Sequence, residues 1–274
     1  MTDPTATTSS DAARGQIDTG AAEVYASFFV PALFDQFPEP VLDHAGVAAG
    51  ARVLDVGCGT GIVAAAARRR VGPGGVVAAI DPNEGMLAVA RRSEAMIDWR
   101  AGEAESLPFG DDGFDHTVSQ FAAMFFRDAK AAVAEMARVT RRGGTVTIAT
   151  WCGLDRTPGY RAMVALIADE FGQAPADALR APFSLGAVDD VRSQLTPIGP
   201  RSRVDRIPGT ARFPSIAAWV RTEVRGWTLA DLIDESAEAA LLARAERELT
   251  AFVAADGSVA FPAPALVGTV IVDG

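Results

Sequence analysis

The stretch that most constrains this chain is Val53-Leu54-Asp55-Val56-Gly57-Cys58-Gly59-Thr60-Gly61. A short apolar run ends in glycines at alternate positions, and the Ala-rich segment Ile62 to Arg70 follows. Such a run, bounded by a turn, reads as a strand buried on both faces. The glycines permit positive φ and remove the Cβ atoms that would keep a ligand from the backbone. The helix behind them offers unpaired N–H groups at its start. Strand, glycine turn and helix in this order predict an α/β unit whose ligand sits at the carboxyl end of a parallel strand.

The pattern repeats downstream. Val76 to Ile80 reads as a strand, Glu84 to Arg92 as a helix, and Asp98 to Ala101 and Asp115 to Ser119 as further strands. A helix is predicted from Asp128, its N-cap, to Arg142, and a fifth strand from Thr145 to Thr150. Alternating strands and helices imply a doubly wound, mostly parallel sheet with helices on both faces. The basic clusters Arg68-Arg69-Arg70 and Arg141-Arg142 each read as the close of a helix, where they complement its terminal carbonyls.

Flanking segments are less regular. Residues 1–20 have too little apolar content to pack and are expected to form a disordered tail. The N-terminal region 21–49 reads as helices broken at Pro31 and Pro38, ahead of a core at 50–151. Beyond Trp151, helices are expected at Tyr160–Phe171, at Val188–Leu195 and over most of Ser215–Val253. Strands are expected at Arg201–Ile207, Thr210–Phe213 and Val267–Val272. Segment 155–265 is read as an acceptor-side elaboration of one domain, and 266–274 as an antiparallel last strand returning to the sheet.

Composition narrows the function classes. At 274 residues the chain can bury a core without staples, roughly 75% of the surface its unfolded form exposes. Its 25 basic and 35 acidic side chains leave a net charge of −10, which repels nucleic-acid phosphates and anionic lipid on average. Two cysteines and two histidines, all far apart in sequence, argue against a disulfide framework or a zinc site. With no signal-peptide core and no apolar run of membrane-spanning length, the expected location is cytoplasmic, without membrane insertion. No motif encodes oligomeric state, and a homodimer is left open.

Read alone, the glycine turn is ambiguous. Gly59-Thr60-Gly61-Ile62-Val63-Ala64 matches the G-x-G-x-x-A dinucleotide pattern, and Asp81 stands about twenty residues on, where a ribose-binding acid belongs. Asp55 separates the cofactors. A carboxylate at the turn suits the ammonium of an amino-acid moiety and would repel a pyrophosphate. That favours S-adenosylmethionine over a nicotinamide dinucleotide.

The turn resembles motif I of the class I S-adenosylmethionine-dependent methyltransferases, a Rossmann-like family. Ala79-Ile80-Asp81-Pro82-Asn83-Glu84-Gly85-Met86-Leu87 resembles its second-strand motif. Gly102-Glu103-Ala104-Glu105-Ser106-Leu107-Pro108-Phe109 is similar to its third-strand segment. Asp112-Gly113-Phe114-Asp115 and Arg141-Arg142-Gly143-Gly144-Thr145 match the fourth strand and the turn into the fifth. The likeness covers about residues 50–151 and is greatest to the branch containing ubiquinone- and menaquinone-biosynthesis methyltransferases.

The resemblance implies that Gly57 and Gly59 approach the methionine portion and that Asp55 orients its ammonium. Asp81 would take the ribose hydroxyls, with Pro82 and Met86 flanking the adenine. Glu103, where the family usually has Asp, would meet the adenine amino group, and the Ala104 backbone the ring nitrogen. Gln120 and Phe121 would border the donor and acceptor region, and Tyr25 would lie in an N-terminal helix over the donor. Read by themselves, Glu103 and Glu105 also fit a solvated acidic loop.

Where a related pattern carries a histidine, this chain has Met124-Phe125-Phe126, so no base is assigned. His116 reads as a packing residue. Displacement at a sulfonium needs alignment above all, so a protein base is not required for every acceptor. Phe28, Phe29, Phe125, Trp151, Phe183 and Trp227 are candidates to line a pocket for a small, partly apolar acceptor. Two competing readings are a nicotinamide-dependent oxidoreductase and a protein that binds S-adenosylmethionine without catalysis.

Overall fold

The computed structural model describes residues 19–225, 229 and 232–273. The expected tail at residues 1–18 therefore lies outside the described residues, as does Trp227. Thr19 and Gly20, assigned to that tail, instead open the first helix, α1 (Thr19–Val24).

Seven strands form the main sheet in the order β3-β2-β1-β4-β5-β9-β6. Strands β1 (Arg52–Val56), β2 (Val76–Asp81), β3 (Asp98–Ala101), β4 (Phe114–Gln120) and β5 (Thr140–Trp151) are mutually parallel. β9 (Ala265–Ile271) runs antiparallel to both β5 and β6 (Ser202–Ile207). Helices α2 (Pro38–Ala45), α3 (Ile62–Val71), α4 (Glu84–Ser93), α5 (Ala129–Val139) and α8 (Val188–Leu195) cover the two faces. Alternation along β1 explains the two layers. Val53 packs with Val41, Val63 and Ala67 on one side, and Leu54 with Met136 and Leu195 on the other. Each such aliphatic side chain contributes roughly 1.5–3 kcal/mol.

A third cluster, rich in aromatics, joins α6 (Pro158–Phe171), α7 (Gln173–Arg180), α9 (Ile216–Arg225) and α10 (Glu235–Glu248) to the N-terminal helix. A separate two-stranded sheet, β7 (Thr210–Phe213) with β8 (Val259–Pro262), packs there too.

Two expectations need correcting. Pro31 does not break the N-terminal helix; it lies inside a π-helical run, Tyr25–Phe34, that continues α1. The wider turn relieves the clash a proline ring would make with the preceding turn of an α-helix. Pro38 stands at the first position of α2, where its missing N–H costs nothing. The second correction concerns Arg141 and Arg142. The helix stops at Val139, and both arginines sit in an irregular start of β5, where pairing jumps from Phe114–Thr140 to His116–Thr145. Arg141 reaches Asp115 at 2.6 Å, so it serves a strand ion pair and not a helix end. The Asp128 cap is as expected, its Oδ1 accepting from the Lys130 and Ala131 N–H groups.

Candidate donor-binding site

The strand order reverses between β1 and β4, and the crevice outside their carboxyl ends is where an open α/β sheet binds ligands. Gly57, Gly59 and Gly61 all have positive φ, at 71°, 54° and 87°. Their surroundings differ. A Cβ on Gly57 would stand 2.4 Å from that of Ala122, and one on Gly61 would stand 2.4 Å from the Trp99 ring. A Cβ on Gly59 would meet nothing within 4 Å. Of the two glycines expected to approach a ligand, Gly59 borders open space, whereas Gly57 is tight because the segment after β4 packs on it.

The acids converge around this turn. Asp55 is buried at the end of β1, and its Oδ2 accepts from the Ala64 N–H in the first turn of α3. Burial pushes its pKa up to about 7, the Ala64 bond opposes the rise, and Asp81 adds to it. Asp81 ends β2 and accepts from the Gly59 N–H on Oδ2 and from the Asn83 N–H on Oδ1. Burial raises it to about 6 against both bonds, with a further push from Glu103. A carboxylate has about four lone-pair sites, so Asp81 keeps acceptor capacity for two hydroxyls.

Asn83 caps α4 by accepting from the Met86 N–H, which fixes the turn that carries exposed Pro82 and buried Met86. Ala104 is buried beside this region, among residues of the second face. Glu103 is half-exposed and pairs with Arg127 at 2.9 Å, a partner not anticipated from the sequence. Gln120, the last residue of β4, has a sealed Oε1 with no partner among the described residues. Ser119 Oγ is in the same condition.

Tyr25 stands near enough to the site to feel the Asp81 carboxylate. Its ring stacks on Phe34 at 5.3 Å, and burial together with the Asp81 carboxylate raises its phenol. The segment beyond β4 turns at Phe121, whose φ of 55° is a strained value for a side chain with a Cβ. Its ring stacks on Trp151 at 3.9 Å, with Phe34 and Phe37 against the pair.

The aromatics expected to line an acceptor pocket are distributed differently. Phe29 and Trp151 are buried in the core cluster, and Phe125 is half-buried in the turn after β4. Phe28 is 50% exposed, because the outer face of the N-terminal helix carries it. Phe183 packs on Tyr160 at 5.2 Å and also walls an open cleft of about 390 Å3 with Leu154, Asp177, Arg180, Ala181 and Ser184. His116 bonds the Thr145 hydroxyl within the sheet, and burial lowers its pKa, as suits a packing residue.

One group escaped the sequence reading. Glu223, on α9, is 3% exposed, and its Oε1 accepts from the Tyr160 hydroxyl at 2.7 Å and from Trp219 Nε1 at 3.1 Å. Burial raises its pKa to about 7 despite both bonds. The Trp219 donor lies one helical turn away, so an i, i+4 scan could have flagged that half of the arrangement.

The switch-point crevice, the open space at Gly59 and the acid ending β2 suit an α/β domain that binds a nucleoside. Residues 54–148 match the family described as a methyltransferase domain. Over 109 residues the chain is 40% identical to the demethylmenaquinone methyltransferase of Renibacterium salmoninarum, covering 40% of this chain and 45% of that one. Over 115 residues it is 40% identical to the malonyl-[acyl-carrier protein] O-methyltransferase of Erwinia pyrifoliae, covering 42% and 43%. The match thus spans somewhat less than half the length of these curated relatives. The YcgJ protein of Bacillus subtilis shares the fold, with a TM-score of 0.58 at 20% identity over 87% of this chain and 99% of that one. Over residues 54–148 the chain is thus similar to methyltransferase domains, including those of a demethylmenaquinone methyltransferase and a malonyl-[acyl-carrier protein] O-methyltransferase.

Proposed function

We propose that the protein transfers a methyl group from S-adenosylmethionine to a small, partly apolar molecule. The observation that carries this reading is the mutual crowding of carboxylates at the glycine turn. Burial, opposed by backbone hydrogen bonds, raises Asp55 and Asp81, with smaller pushes from Asp81 on Asp55 and from Glu103 on Asp81, so a cationic ligand would favour the ionised form of both. The ammonium and sulfonium of S-adenosylmethionine suit such a field, and a dinucleotide pyrophosphate does not. The matched domain family and relatives named as a demethylmenaquinone methyltransferase and a malonyl-[acyl-carrier protein] O-methyltransferase support the same reading.

In this reading Asp81 accepts the ribose hydroxyls and Asp55 steadies the ammonium through its hold on the start of α3. The backbone at Gly59 comes against the methionine portion, and Gly57 shapes the turn. Pro82 and Met86 flank the adenine, with Glu103 and the Ala104 backbone at its edge. Gln120 borders the donor and acceptor region, and Tyr25 closes the site from above. The sulfonium methyl is already activated for displacement, so the residues contribute chiefly position and exclusion of water. The acceptor side is assigned to the elaboration at 155–265, which belongs to one domain with the core. Among the described residues no helix is long and apolar enough to cross a membrane. A cytoplasmic protein without nucleic-acid partners, with a homodimer as one option, completes the reading.

Its test is turnover. The protein is incubated with S-adenosylmethionine and a panel of hydroxynaphthoquinols, phenols and thioesters, and S-adenosylhomocysteine formation is followed by mass spectrometry. Acceptor-dependent product supports the reading. Donor binding with no turnover across the panel would favour a non-catalytic donor-binding protein.

A further inference from the structure

The loop that follows β3 has a backbone fixed at both ends. Its Gly102 N–H donates to the Asp81 carbonyl at 3.2 Å. Further on, the Leu107 N–H donates to Glu135 at 2.9 Å, and Arg138 donates to the carbonyls of Leu107 and Phe109 at 3.1 and 2.9 Å. The Glu103 side chain takes no part in this. Its partner is Arg127, whose Nη2 donates to Oε1 at 2.9 Å. Arg127 stands between the short turn Ala123–Phe125 and the cap of α5, Asp128, whose own N–H donates to Glu105 at 3.1 Å. The segment after β4 thus grips two acids of the loop after β3.

The Arg127–Glu103 pair is of little use to the fold. Its side chains are 60% and 43% exposed, and pairs so open to water contribute at most about 1 kcal/mol. What the pair fixes is a side-chain direction. Ala101 is in register with Asp81, so Glu103 leaves the sheet just beyond the partner of the acid that ends β2. Carboxylates on neighbouring strand ends repel, and an unrestrained glutamate here turns to water. Recalling it for a ligand costs side-chain entropy, up to roughly 2 kcal/mol. Arg127 supplies the opposite charge and a fixed geometry, and the 43% exposure leaves the side chain within reach of a ligand. A carboxylate held in this way favours a ligand group that donates to it and penalises one that cannot.

We propose that Arg127 is a positioning residue that makes the donor site selective for adenine over hypoxanthine, by holding Glu103 where its carboxylate accepts from the exocyclic amino group. The inference rests on the S-adenosylmethionine reading above. Hypoxanthine in the same place turns a carbonyl oxygen towards the carboxylate, so a hydrogen bond is replaced by repulsion between two acceptors. Arg127 touches no ligand in this arrangement and acts only through Glu103. Because the loop backbone is held independently by Asp81, Glu135 and Arg138, removing Arg127 releases one side chain and leaves the loop in place.

The experiment compares wild type with Arg127→Ala, Arg127→Lys, Glu103→Ala and the double variant, each first checked for cooperative thermal unfolding. Every protein is titrated calorimetrically with S-adenosylhomocysteine and with S-inosylhomocysteine, and the readout is the ratio of the two affinities. Wild type should favour the adenine compound about ten-fold or more, as expected of a hydrogen bond to a charged group. Arg127→Ala should lose several-fold of that preference with its melting temperature essentially unchanged, and Arg127→Lys, which can still pair, should keep most of it. On the Glu103→Ala background, removal of Arg127 should leave the ratio unaltered. Should Arg127→Ala fail to fold, Arg127→Gln takes its place. A wild-type ratio near unity, an Arg127→Ala ratio equal to that of wild type, or the same loss with and without Glu103 overturns the inference while the donor reading stands. Failure of wild type to bind either compound overturns the donor reading and the inference with it.

Discussion

Three glycines with positive φ occupy one turn, yet only one of them faces empty space, and alanine substitution separates their roles. Any alanine at these φ values incurs roughly 1–2 kcal/mol for the left-handed backbone. At Gly59 that is the whole structural cost, because nothing lies within 4 Å of the added methyl. At Gly57 the methyl collides with Ala122 Cβ at 2.4 Å, and at Gly61 with the Trp99 ring at 2.4 Å. Overpacking adds about 1–3 kcal/mol to each. Urea denaturation should therefore rank Gly59→Ala about 1–2 kcal/mol below wild type and the other two roughly 2–5 kcal/mol below it. Calorimetry should reverse the order of interest. Gly59→Ala, the mildest variant for stability, should lose at least about ten-fold in S-adenosylhomocysteine affinity, since its methyl occupies the space left for the ligand. A Gly59→Ala protein that binds as wild type does would refute the placement of the donor against this backbone.

The remaining predictions concern the acids. Asp81→Ala should weaken donor affinity by removing two charge-assisted ribose contacts of about 1.5–3 kcal/mol each; unchanged affinity would exclude the ribose role. Arg127→Ala breaks a half-exposed ion pair with Glu103, so stability should change by no more than about 1 kcal/mol. With Glu103 unpaired, preference for cationic S-adenosylmethionine over neutral S-adenosylhomocysteine should rise, and a fall would contradict the electrostatic argument. Asp55, Asp81 and Glu223 have folded pKa values raised by burial to about 7, 6 and 7. The native state therefore binds more protons than the unfolded chain between about pH 4 and 7, and stability must fall as pH rises through that window. For Glu223, the rise from 4.5 to about 7 corresponds to roughly 3 kcal/mol lost by pH 8. Melting temperature should drop between pH 5.5 and pH 8, less steeply in Glu223→Gln, and a rise over that range would show these acids to be ionised at little cost.

The donor half was legible because its signals are local. Apolar runs closed by glycine or Asp-Pro placed β1 and β2, and Asp128 marked the start of α5 as a cap does. The bounds of β3, β7 and α8 agree with expectation to the residue. Legibility failed where tertiary contacts overrode a local rule. Pro31 reads as a helix breaker until packing of Phe29, Leu33 and Phe34 holds the π-helical run together. Gly143 and Gly144 read as a helix stop for Arg142, yet an aspartate 26 residues earlier draws Arg141 into the sheet. Helix α7 was missed because Gly172 and Pro175 bracket its start, and β8 because its last residue is a proline.

The acceptor side is harder for a related reason. Aromatic residues carry no label distinguishing core from pocket, and Phe29, Trp151 and Phe183 pack against aromatics outside the candidate set. Glu223 gains its meaning from Tyr160, 63 positions away. No spacing rule connects them, and only the fold makes a solvated-looking helix acid into a buried one.

The measurement that bears most directly on the central claim is calorimetric titration of the full chain with S-adenosylhomocysteine and, in parallel, with NADH. The account predicts saturable binding of S-adenosylhomocysteine and no response to NADH, because the acids at the glycine turn favour an ammonium and repel a pyrophosphate. Binding of NADH alone would contradict it and make the glycine turn a dinucleotide site.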